Sequence, residues 1–160
     1  MSGSAGSAPA HAVYDSPVGP LTVVEVDGAI TTLHFGAHPG ATTTPLLAAA
    51  CDQLYGYFYC GLAAFELPLR PAGSAFQQAV WQAMQAIPKG RVRTYGELAA
   101  AIGSPRAAQA VGSACGKNPI PILIPCHRVV AGSHLGGYSG AGGVETKAAL
   151  LSLEGYLLCS

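Results

Sequence analysis

The chemistry this sequence can perform is concentrated in one stretch, where Cys126, His127 and Arg128 stand in a row, Asn118 precedes them and Glu154 follows. A thiolate is the strongest nucleophile among ordinary side chains, a histidine can take its proton near neutral pH, and a carboxylate can hold the imidazole in one orientation. The prolines and isoleucines of residues 119–125 deliver Cys126 and His127 to the end of an apolar run, read here as a buried extended segment. Desolvation in such a place disfavours the thiolate, so a lone cysteine there reads as an inert core residue. His127, Arg128 and Glu154 turn the reading towards reactivity. Neighbours on an extended chain point to opposite sides, so the proton of Cys126 is expected to reach His127 through a bridging water.

The elements that must position this stretch fall into two parts. In the first, residues 12–15, 20–26 and 29–35 are rich in Val, Ile, Leu and Thr, and Asp27-Gly28 signals a tight hairpin turn between the last two. Residues 45–58 carry apolar positions at helical spacing, and 65–69 read as a returning strand. Pro71-Ala72-Gly73 breaks the pattern and reads as a linker. The organisation expected is an unstructured N-terminus over 1–11, a sheet domain over 12–70, and a second domain over 74–160.

The second part is punctuated by helix caps. Ser74 with Gln77 and Thr94 with Glu97 are capping boxes, the first opening a helix that ends near Pro88 and the second a short helix closed by Gly103. Ser104-Pro105 predicts a third start, with serine at the cap, proline at the first helical position and an Ala-rich helix to Lys117. Two short helices joined by a tight turn make a helix-turn-helix candidate, although such a hairpin is often a plain packing unit.

Composition bounds the function. No apolar run in the 160 residues is long enough to span a membrane as a helix, and the first ten residues lack the basic and hydrophobic segments of a secretory signal. Five cysteines at irregular spacing, without a Cys-x-x-Cys pair, argue against a disulfide framework and a zinc site and for a reducing, intracellular setting. His11, His34, His38 and His134 form no metal-like cluster with acidic partners. Eight basic residues balance eight acidic ones, so net charge gives no sign of nucleic acid.

Pro125-Cys126-His127-Arg128-Val129, with Asn118-Pro119 before it and Gly137-Tyr138 and Leu153-Glu154-Gly155 after it, resembles the signature of the O6-alkylguanine-DNA alkyltransferases. The resemblance runs over residues 13–157 and includes Phe76-Gln77-Gln78-Ala79-Val80-Trp81 and Thr94-Tyr95-Gly96-Glu97-Leu98-Ala99. It implies an α+β chain, with a small ribonuclease-H-like sheet domain followed by a mostly helical domain that holds a helix-turn-helix. The implied activity is direct-reversal DNA repair: one irreversible transfer of an alkyl group from O6-alkylguanine, or O4-alkylthymine, in double-stranded DNA to a cysteine. No cofactor is implied, and a monomer is. Carried over by position, Cys126 is the nucleophile, His127 its base, Glu154 the orienter of His127, and Asn118 the support of the turn. Tyr95 helps rotate the nucleotide and donates to the base, and the carbonyls of Cys126 and Val129 accept from its exocyclic amine. Tyr138 and Ser139 contact the alkyl group and the guanine oxygen. Arg106, Ala107, Ala108, Gln109, Gly112 and Lys117 lie on the DNA-binding face, helped by Lys89, Arg91 and Arg93.

Three departures stand out. Gln109 occupies a position where such proteins usually carry an arginine that fills the hole left by the flipped base, and Gly116 stands where a basic residue is common. The turn over 131–135 is a little short and the Gly-rich run 138–143 a little long, which leaves the register of Tyr138, Ser139 and Gly140 open. Two other readings stay in view: a binding-only alkyltransferase-like lesion sensor, which Cys126 argues against, and a cysteine hydrolase, which lacks an oxyanion site.

Overall fold

Asp27 and Gly28 both take positive φ, 49° and 81°, the backbone of a hairpin turn whose twist matches that of its flanking strands. The turn joins β2 (Gly19–Val26) to β3 (Ala29–Phe35), and β1 (Ala10–Ser16) pairs with the other edge of β2, giving an antiparallel meander in the order β1-β2-β3. The register runs from Ala10 opposite Glu25 to Ser16 opposite Gly19, and β2 and β3 pair with a shift between Val24 and Glu25. This computed structural model describes residues 9–132, 134–138, 140 and 142–156. β1 starts at Ala10, inside the stretch expected to be unstructured.

Thr44 caps α1 (Pro45–Tyr59) by accepting from the Leu47 N–H at 3.0 Å, and its hydroxyl donates to the Glu25 carboxylate. α1 packs on β1 and β2, burying Leu47, Ala50, Leu54, Tyr57 and Phe58 against a sheet face that includes Leu21, Val23 and Leu33. Each such fully buried leucine contributes about 1.5–3 kcal/mol of transfer free energy. The strand expected over 65–69 is not formed. Only Leu69 bridges Ile30, through Ile30 N–H to the Pro68 carbonyl and Arg70 N–H to the Ile30 carbonyl, both 2.8 Å. Pro68 and Pro71 have no N–H to give a ladder, so pairing stops at one bridge. Residues Met1–Pro71 form one compact unit and Ala72–Ser160 a second.

In the second unit both capping boxes form, Ser74 with Gln77 at α2 (Ala75–Gln85) and Thr94 with Glu97 at α3 (Tyr95–Ala101). α4 (Ala108–Gly116) packs on both helices. It starts later than expected: the Ser104 carbonyl accepts from Ala107 N–H at 2.9 Å and closes a turn, and Ala107 stands at the cap with φ −100° and ψ 26° and no side-chain bond. Ser104 therefore spends its backbone on the turn and does not cap the helix. β4 (Arg93–Thr94) pairs in parallel with β5 (Val129–Val130), fixing the chain after Cys126 beside the start of α3. α5 (Val144–Leu153) packs against the turn that carries Cys126. The core between these elements includes Val80, Met84, Leu98, Val111, Ile120, Ile124, Leu150 and Leu151, with Trp81 1% exposed and its indole N–H on the Ala114 carbonyl at 2.8 Å.

Candidate active site

The run before Cys126 is a loop held by one side chain, not the extended segment expected. Asn118 donates from Nδ2 to the Ile124 carbonyl at 2.8 Å and accepts at Oδ1 from Ile120 N–H at 2.9 Å, and Ile124 N–H returns to the Ile120 carbonyl at 2.8 Å. Pro119, Pro121 and Pro125 bring no N–H for a ladder, and the asparagine stands in for the missing backbone partners. Within the loop Ile122 has φ +72°, a conformation that a β-branched residue adopts only under tertiary constraint. Cys126–Arg128 then form a single turn of 3-10 helix. Successive side chains of such a turn lie about 120° apart, so Cys126 and His127 diverge for a different reason from the one expected.

His127 is fully buried and donates from Nε2 to Glu154 Oε2 at 2.6 Å. A carboxylate only accepts, so the proton of the neutral imidazole is on Nε2 and Nδ1 carries the free lone pair. Nδ1 is buried and has no protein hydrogen-bond partner among the described residues. Burial holds His127 below the ordinary histidine range, against the pull of Glu154. Arg128 grips the same carboxylate, Nε to Oε1 at 2.8 Å and NH2 to Oε2 at 3.0 Å, and anchors to the Ile87 carbonyl through NH1 at 2.7 Å.

Cys126 opens onto a cavity of about 330 Å³ lined by Tyr95, Gly112, Cys115, Gly116, Gly137 and Tyr138. Burial pushes its thiol up, while the Asn118 amide, the charge of Lys147 and a backbone N–H pull it down. Burial also raises the Tyr95 and Tyr138 phenols. A backbone hydrogen bond from Gly137 reaches the Tyr95 oxygen, leaving its O–H to donate elsewhere. Gly136 has φ +76°, and a Cβ there would lie 2.7 Å from the Tyr95 hydroxyl, so glycine is needed for the phenol to sit where it does.

Residues 75–156 match the family model described as 6-O-methylguanine DNA methyltransferase, DNA binding domain, and residues 10–71 match the ribonuclease-like domain of the same family. The chain belongs to the 6-O-methylguanine DNA methyltransferase family. It is 44% identical to the methylated-DNA–protein-cysteine methyltransferase of Mycobacterium tuberculosis H37Rv, covering 90% of this chain and 91% of that one. With the constitutive methyltransferase of Bacillus subtilis it shares 41%, covering 90% and 94%. A crystal structure of M. tuberculosis OGT in complex with DNA superposes with a TM-score of 0.79 at 46% identity, covering 89% of this chain and 90% of that one.

In this member of the methyltransferase family the residues expected at the site divide into two groups. Cys126, His127, Glu154, Asn118, Tyr95 and Tyr138 come together around the cavity, and Gly112, expected on the DNA face, lines it too. Val129 is buried on β5, and its N–H donates to the Cys126 carbonyl, which keeps its second lone pair. Arg106, Gln109 and Lys117 are exposed, Ala107 and Ala108 half-buried, at the two ends of α4. Arg91 and Arg93 are exposed and Lys89 half-buried. Ser139 lies outside the described residues. Reading the sequence missed Cys115, Lys147 and the grip of Arg128 on Glu154. Cys115 is a second thiol in the cavity, pushed up to about 12 by burial, with Sγ donating to Met84 Sδ at 3.5 Å. Lys147 follows Glu145 and Thr146 in an unbroken polar run on α5, so no local signal marked it as buried.

Proposed function

We propose that this chain repairs DNA by moving the alkyl group of an O6-alkylated guanine onto Cys126, once per molecule. The observation that carries the reading is the placement of a buried, directed His127–Glu154–Arg128 network behind the thiol that faces the aromatic cavity. A sulfur–carbon bond forms at Cys126 as the carbon–O6 bond breaks. The thiol proton passes through water to His127 Nδ1, the nitrogen turned away from Glu154. The Tyr95 hydroxyl donates to the departing guanine, so the proton lost by sulfur is balanced by the one the base gains. A thioether has no route back to a thiol, and turnover stops.

The target atom is out of reach inside a duplex, so the nucleotide must be extruded into the cavity. Arg106, Gln109 and Lys117 are exposed, which supports phosphate contacts by the two cations and occupation of the vacated stack by Gln109. The transfer as written draws on Cys126, His127, Glu154 and Tyr95 of a single chain, which fits action as a monomer. A free thiol as acceptor fits a reducing, intracellular compartment. Intact-mass measurement and peptide mapping after mixing with a duplex containing O6-methylguanine test the assignment. One methyl on Cys126, lost in Cys126→Ser with DNA binding kept, is the expected result. A methyl on another cysteine, or a Ser variant that still accepts it, overturns the assignment.

A further inference from the structure

Lys147 lies on α5 with 0% of its surface exposed. Its Nζ donates to the Gly137 carbonyl at 3.0 Å, a neutral acceptor. Every aspartate and glutamate of the chain lies among the described residues. Glu154 pairs with His127 and Arg128, and among the described residues Lys147 pairs with no carboxylate. An ammonium buried without a counter-charge is strongly disfavoured, and burial holds this one below the ordinary lysine range. The groups able to carry negative charge towards it are the two thiols of the cavity, Cys126 and Cys115, both of which favour its charged form.

We propose that Lys147 is the counter-ion of the Cys126 thiolate, a positioning residue that supplies the positive charge the attacking sulfur needs. Neither charge is stable alone at this buried site, whereas the pair is neutral. The titratable and charged groups around the sulfur are His127 and Arg128 from its own turn, Lys147 and Glu154 from α5 and its end, Cys115 from α4, Tyr95 from α3, and Tyr138 from the rim. Among them Lys147 is the cation not already committed to Glu154. It also separates the two thiols. Cys126 adds the Asn118 amide and a backbone N–H to the pull of the lysine, whereas Cys115 has its proton engaged by the Met84 thioether, which can only accept. One shared cation therefore selects Cys126 as the anion.

The inference rests on Cys126 being the acceptor. The test measures single-turnover labelling of the full chain by a free O6-benzylguanine probe as a function of pH, with the labelled peptide mapped. Lys147→Gln keeps a donor for the Gly137 carbonyl and removes the charge, while Lys147→Arg keeps the charge. Removing a cation raises the thiol pKa. In the Gln variant the rise of rate with pH therefore moves up by about one unit or more, labelling at neutral pH slows about tenfold or more, and the rate recovers in alkali. The Arg variant keeps a profile close to that of the native chain. Lys147→Met, similar in volume, gives the same upward shift should a buried glutamine prevent folding. A Gln or Met profile that superimposes on the native one, or is lower by the same factor at every pH, overturns the role of Lys147 and leaves the acceptor in place. A label mapped to another cysteine in the native chain overturns the acceptor instead.

Discussion

The two units solve the problem of burial in opposite ways. Among the described residues of the first, the buried polar side chain is Thr22, whose hydroxyl donates to the Gly36 carbonyl at 2.7 Å. The second buries Asn118, His127, Arg128, Thr146, Lys147 and Glu154. Charges taken out of water are costly, and replacing such groups with packed apolar residues is often neutral or stabilising. Stability alone thus gives no reason to keep four ionisable side chains in one small core, around the turn that carries a thiol. On the proposed function the chemistry belongs to the polar core of the second unit, and the apolar first unit takes no part in it.

The strongest way to break this contrast is to disable the network. His127→Ala and Glu154→Gln are each expected to slow transfer to a free guanine probe about a hundredfold, and the double variant to lose little more, because the two act as a unit. Glutamine is the informative replacement at 154, since alanine would strand the Arg128 guanidinium and cost about 3–5 kcal/mol of stability. Fully additive rate losses would separate the two residues and with them the idea of a single buried relay.

A smaller effect is expected on the exposed face of α4. Gln109→Arg should speed reaction with alkylated duplex by about tenfold, the gain from recovering about 1.4 kcal/mol when the flipped state is rare, and leave the free probe unaffected. A guanidinium offers both a stacking plane and a charge, and a salt titration separates them because only a phosphate contact steepens with salt. Equal acceleration on both substrates would place Gln109 in the cavity.

The smallest change in rate belongs to the first unit. Leu54→Ala removes a fully buried side chain of α1 and should lower stability by about 2–5 kcal/mol. Thermal melts should register this loss, while the folded protein labels with the free probe at the native rate. A slower rate per folded molecule would show that the apolar unit takes part in the chemistry.

Signals that act within a few residues were legible in the sequence. The Asp27-Gly28 turn, the capping boxes at Ser74 and Thr94 and the helix beginning at Pro45 all form, because their partners lie within about one turn of the chain. Residue chemistry suggested Glu154 as the partner of His127 and the resemblance assigned it, while Tyr95 came from the resemblance alone, since no local rule brings residue 154 to residue 127 or residue 95 to residue 126. Tertiary structure decided the rest. The 65–69 segment kept one bridge because Pro68 within it and Pro71 just beyond it bring no N–H to the sheet edge, and Ser104 closed a turn where a cap was expected. Asn118 bent an apolar run into a loop by bonding across six residues, and Arg128 reached Glu154 across 26. Lys147 reads in sequence as a solvated helix charge, and Cys115 as one small residue among alanines and glycines. Whether a lysine meets water or a thiol depends on what packs against its helix, a property of positions distant in the chain that the local pattern of charge and hydropathy does not encode.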